Sequence, residues 1–122
     1  MSPKAKVEIA RDHLAKAREE LNGDRRDAVQ WVFASLEAAI DALAAEERIP
    51  IDQQHWKRTD AAKELHQKGV LPADLSTLHR ELNFLRKSIF YDGEELDEDD
   101  FSVEGAVAEV EAVVDIASER AS

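Results

Sequence analysis

The sequence predicts an all-α protein: an antiparallel up-and-down four-helix bundle with an additional short helix. Three observations predict it. Apolar residues recur at intervals of three and four, as in Leu75, Leu78, Leu82, Leu85 and Ile89, which paints one stripe on a helix. No segment sustains the apolar–polar alternation of a half-buried strand. Only four glycines and three prolines interrupt 122 residues, in a chain rich in alanine, leucine, glutamate, aspartate and lysine.

The elements follow in order. Ser2 as N-cap and Pro3 at the first helical position open a helix over 3–22, with Val7, Ala10, Leu14, Ala17 and Leu21 as its stripe and Gly23 as its stop. Asp24 caps a second helix, 24–47, whose inner face is Val29, Val32, Phe33, Leu36, Ile40 and Leu43; Pro50 marks its end. A connecting segment, Ile51 to Arg58, carries His55 and Trp56. Thr59 or Asp60 caps a short helix, 59–68, stopped by Gly69. Pro72 and Asp74 begin the fourth helix, 73–91, and Ser102 caps the fifth, 103–119, with Val103, Val107, Val110, Val114 and Ala117 inward.

The four long helices span roughly 25–35 Å at 1.5 Å per residue. Similar lengths and mostly short connections favour antiparallel neighbours, with the short helix in the connection between the central pair. Leu14, Leu36, Ile40, Leu78, Leu82, Leu85, Val107 and Val110 are the expected core. The chain reads as one domain, 1–122, with no internal repeat and no linker long enough to divide it. Trp31, Phe84 and Phe90 lie beside the stripes. Two readings fit them: burial around the chain's own core, or an apolar face that packs on another subunit. The second predicts a homodimer.

Composition excludes several functions. Cysteine is absent, so disulfides and thiolate metal sites are ruled out. No run of 18 apolar residues occurs and Met1–Ala10 lacks the apolar centre of a signal peptide, so a cytoplasmic protein without a membrane partner is expected. The formal net charge is −11. Most of it comes from residues 92–100, where Asp92, Glu94, Glu95, Asp97, Glu98, Asp99 and Asp100 stand without a base. A solvated acidic loop is the plain reading of that run. By contrast, the 57–91 window has more bases than acids, among them Lys57, Arg58, Arg80, Arg86 and Lys87. Overall acidity disfavours non-specific DNA or RNA binding, while a local basic cleft is compatible with it.

Complete catalytic motifs are missing. His13, His55, His66 and His79 form no metal-ligand pair and read as structural or surface residues. The acidic loop fails as a calcium loop: a register starting at Asp92 puts Leu96 at a ligand position, and one starting at Asp97 puts Ser102 where glycine belongs. No phosphate loop or nucleophile elbow is present, so neither metal nor cofactor is expected. The cluster Asn83, Arg86, Lys87, Tyr91 and Asp92 remains, at the end of the fourth helix. Spacings of three and four put Asn83, Arg86 and Lys87 on one side, and Tyr91 follows one turn and a third beyond Arg86. Arg86 can bind a phosphate in two-pronged fashion, or it can be held by carboxylates. Tyr91 can orient a phosphate but is a poor general base at its ordinary pKa near 10.

The chain resembles the HEPN family of small prokaryotic helical bundles. The resemblance runs from Ala10-Arg11-Asp12-His13-Leu14-Ala15-Lys16-Ala17 through the alanine-rich stretch from Ala34 to Leu43. It is closest over Leu82-Asn83-Phe84-Leu85-Arg86-Lys87-Ser88-Ile89-Phe90-Tyr91-Asp92. The family signature is an arginine followed after four to six residues by histidine, which cleaves RNA in a cleft between two protomers. Here Arg86 is followed by Tyr91, and no histidine occurs after His79. Arg86–Tyr91–Asp92 is similar to the Arg-x4-Tyr-Asp pattern of some HEPN branches.

The resemblance implies a dimeric helical module that binds a nucleotide, RNA or protein partner through a groove around Arg86. A nucleotidyltransferase in a toxin–antitoxin pair is one such partner. Without the histidine, the side chain best suited to proton transfer near neutral pH is gone, so efficient catalysis is not expected. The alternative is a metal-independent endoribonuclease with Arg86 and Tyr91 as its catalytic pair.

Overall fold

Five α-helices and no strand make up the described residues: α1 (Pro3–Glu20), α2 (Arg25–Glu46), α3 (His55–Gln67), α4 (Ser76–Phe90) and α5 (Val103–Ala121). The computed structural model describes residues 1–51 and 55–122, and the side chains of these except at 55 and 56.

Local chemistry sets the helix starts. Ser2 accepts the Ala5 N–H, Asp24 the Arg26 N–H and Ser102 the Gly105 N–H, so three helices begin where a side-chain oxygen satisfies an otherwise unpaired donor. Gly69 and Gly93, at φ +78° and +69°, turn the chain after α3 and α4 in the left-handed region that favours glycine.

The packing centres on α2, which meets every other helix. Leu36, Ile40 and Leu43 of α2, Val110 and Val114 of α5, Leu65 of α3 and Leu82 of α4 are fully buried together. By length and composition α2 alone among the described helices could cross a membrane, and here it is the core helix. α1 and α2 pack against each other, and both are rich in buried alanines, Ala10 and Ala17 in one and Ala28 and Ala39 in the other, whose small side chains permit close approach. A buried Ser35 hydroxyl donates to the Ala10 carbonyl at 2.7 Å across this interface. α5 packs on α1 and α2, while α4 packs on α2 and α3.

Three expectations need correcting. α3 begins at His55, so part of the expected connecting segment is helix; its residues 52–54 lie outside the described residues. Thr59 is therefore an interior, buried residue of α3 and caps nothing. α4 begins only at Ser76, because the Asp74 carboxylate accepts the Ser76 N–H and holds the preceding residues in a turn. Of its two readings, Trp31 follows the first: it is half-buried within its own chain, covered by the His13 ring at 5.2 Å and the Lys16 ammonium at 4.4 Å.

The largest change concerns the α4 stripe. His79, Leu82, Arg86 and Ile89 form the buried stripe, with Ser76 and Ser88 buried beside it, while Leu78 and Leu85 are only partly covered. Both sets keep the three–four spacing, but the core-facing set is rotated by one residue from the leucine seam at two of its positions. Two large polar side chains, His79 and Arg86, thus lie in the buried stripe, and the two leucines lie beside it.

Candidate anion-binding groove

Because Arg86 lies four residues after Leu82 and three before Ile89, the helix directs it toward the core. It is 9% exposed. Its guanidinium carbon sits 4.8 Å from the Phe33 ring and 5.8 Å from the Tyr91 ring. Stacking on aromatic faces suits a planar, weakly hydrated cation. Nη2 donates to the Asn83 side-chain oxygen at 2.9 Å, one turn back. Among the described residues no carboxylate pairs with Arg86, and its buried Nε–H has no acceptor. Burying a cation with a donor that no protein group accepts is costly, and an anion is the partner that best offsets such a cost.

Asn83 connects this guanidinium to a surface groove of about 380 Å³. The groove is lined by Thr59, Asp60, Arg80, Asn83, Phe84 and Lys87. Arg80 and Lys87 bring two positive charges to its edge against the single carboxylate of Asp60. Of the sequence-predicted cluster, Asn83 and Lys87 line the groove and Arg86 lies behind Asn83. Tyr91 is exposed at the end of α4, its ring against the Arg86 guanidinium. Asp92 is exposed beyond it, and its backbone N–H closes the helix by donating to the Lys87 carbonyl at 3.2 Å.

Sequence reasoning missed a polar relay on the same side of the molecule. His79, 1% exposed, bridges Thr59 and Glu37: Nδ1 lies 2.8 Å from Thr59 Oγ1 and Nε2 lies 2.9 Å from Glu37 Oε2. With the imidazole neutral, Nε2–H donates to the carboxylate and the Thr59 hydroxyl donates to Nδ1. The ring also stacks on Phe33, whose ring contacts Arg86 as well. Next to the relay, Arg58 donates to both oxygens of Asp41 at 2.8 and 3.0 Å and comes within 3.7 Å of Glu37. Both nitrogens of His79 are engaged, so it reaches the groove only through the Thr59 hydroxyl on the groove wall. One sequence signal was available: Glu37 and Asp41, four apart, stand one and two turns beyond buried Phe33 on the helix with the most buried residues.

Arg25 tethers the far half of the acidic run. Arg25, the first residue of α2, donates to both oxygens of Glu98 at 2.7 and 2.6 Å, to Glu104 at 2.8 Å and to the Leu21 carbonyl at 2.9 Å. Hydrogen bonds from Arg25 hold both carboxyls below the usual glutamate range. His13 is shifted down chiefly by burial, with the Lys16 charge adding to it. Among the described residues no group of three histidine, cysteine, aspartate or glutamate side chains converges on a metal position.

No family model matches the chain, nor does any curated protein or solved structure.

Proposed function

We propose that the chain is a cytoplasmic, homodimeric HEPN-like module that binds an anionic ligand, a nucleotide or an RNA phosphate, through the groove beside Arg86 without efficient catalysis. One observation carries this reading: a buried arginine with no carboxylate partner and an unpaired Nε–H, one hydrogen bond away from a groove edged by Arg80 and Lys87. A phosphate in or beside that groove would offset the buried charge. The homodimer reading draws on Phe84, Phe90 and Tyr91, which are 70%, 44% and 71% exposed around the same helix end. A nucleotidyltransferase is the protein partner the resemblance suggests. In fold terms, the reading takes α1, α2, α4 and α5 as the up-and-down antiparallel bundle and α3 as the additional helix.

The test is binding of a 5′-phosphorylated oligoribonucleotide or ATP to the wild type and to Arg86→Ala. Binding should weaken with salt and should lose about 1–3 kcal/mol on substitution, as for a charge-assisted contact. The proximity of Tyr91 to Arg86 supports the second reading, a metal-independent endoribonuclease. RNA cleavage in the presence of a chelator, abolished by Arg86→Ala and by Tyr91→Phe, would favour it over simple binding.

A further inference from the structure

The leucines displaced from the α4 core face open onto a second surface. α4 packs on α2 and α3, α5 on α1 and α2, and a cleft of about 360 Å³ lies between them. Leu71, Leu75 and Leu78 line one side of it, and Ala112, Val113 and Ile116 the other. The cleft continues past Glu81 to Phe101, beside Leu85. From Gly105 to Ile116 along α5 it runs about 17 Å at 1.5 Å per residue, which matches three turns of a partner helix.

Charge selects the occupant. Asp74, Glu81 and Glu109 rim the apolar floor, and Asp100 stands at its far end. Among the described residues neither Glu81, Glu109 nor Asp100 is in an ion pair, and Arg80 is the only base along the cleft. Leu78 and Leu85 sit one residue before His79 and Arg86. The same helix thus buries polar side chains and leaves apolar ones half-covered, a pattern that costs stability and marks a binding face. We propose that the α4–α5 cleft docks a basic amphipathic helix of a partner protein. Leucine-like side chains at helical spacing would enter the floor, and flanking lysines or arginines would pair with Glu81, Glu109 and Asp74. A second copy placed rim to rim would oppose carboxylate to carboxylate, and an anionic lipid surface would be repelled.

The stretch between Leu71 and Glu109, where the partner helix would seat, shares no lining residue with the Arg86 groove, and only the far end at Arg80 and Phe84 borders it, so the proposal stands without the reading given above. The probe is a synthetic amphipathic 18-residue peptide with leucines at i, i+3, i+4 and i+7 and lysines on the flanks, against its glutamate-flanked counterpart. NMR shifts should map the lysine peptide to Leu78, Val113 and Ile116, with the glutamate peptide at least tenfold weaker. Glu81→Lys/Glu109→Lys should weaken the lysine peptide tenfold or more and reverse the preference. Arg86→Ala and Asp97→Asn/Asp99→Asn should leave its binding unchanged. Leu78→Gln, with its helical content checked by circular dichroism, should weaken both peptides. Three results would overturn the proposal. The first is no binding of the lysine peptide. The second is binding that follows the acidic loop and ignores Glu81 and Glu109. The third is a concentration-dependent dimer mass abolished by the charge reversal, which would assign the cleft to a second copy.

Discussion

At the residue scale, two buried polar side chains of α4 have opposite standing. His79 has a partner at each nitrogen, whereas Arg86 has an acceptor for Nη2 and none for Nε. A satisfied buried network fixes the position of α3 against α2 and α4, and it is sensitive to any broken link. Thr59→Val keeps the shape but leaves His79 Nδ1 without its hydrogen-bond partner. It should cost about 1–3 kcal/mol in urea unfolding, the penalty of an unsatisfied buried group. A change under about 0.5 kcal/mol, of the size usual for surface substitutions, would mean that water replaces the hydroxyl. The sequence made Arg86, Asn83 and Lys87 visible through spacing alone. It could not place Thr59 beside His79, twenty residues away, because that pairing depends on how α3 lies across α4.

At the element scale, the local signals were legible. Ser2, Asp24 and Ser102 cap helices as their residue types predict, and Gly69 ends α3. The start of α3 was not, since His55-Trp56-Lys57-Arg58 offers neither a capping residue nor an apolar stripe. Nor was the rotation of α4. A stripe of leucines marks a sticky face, but which edge of that face meets the core depends on where α2 and α5 stand. The consequence is measurable. Leu82, fully buried, should cost about 2–5 kcal/mol as Leu82→Ala, in the range of core truncations. Leu78→Ala, at the cleft, should cost less than about 1 kcal/mol, closer to a surface substitution. Equal losses in chemical denaturation would return Leu78 to the core and close the cleft.

At the scale of the whole molecule, charge and exposed aromatics govern behaviour. Arg25 ties the acidic run to α2, α5 and the end of α1. Glu98 and Glu104 have lowered folded-state pKa values, so the stabilisation they contribute is complete above the ordinary glutamate value of about 4.3. It is lost as pH falls through the depressed values. Between pH 5 and 3 the melting temperature of the wild type should therefore fall more steeply than that of Arg25→Gln; parallel curves would show that the tether is energetically silent. The exposed Phe84, Phe90 and Tyr91 predict a homodimer, and light scattering at micromolar concentration should return twice the 13.7 kDa chain mass. A clean monomer would reject it.

In the proposed function Arg86 is a buried cation whose Nε–H donates to an anion. Its Nε–H can be followed directly by nitrogen-detected or proton–nitrogen NMR, assigned by its disappearance in Arg86→Lys. Titration with ATP or a 5′-phosphorylated oligoribonucleotide should move this one signal in a saturable, salt-sensitive manner, with Asn83 and Lys87 shifting alongside it. A resonance that stays fixed while the ligand binds elsewhere, or while nothing binds, would contradict the claim and leave Arg86 as an arginine that packs α4 against Phe33.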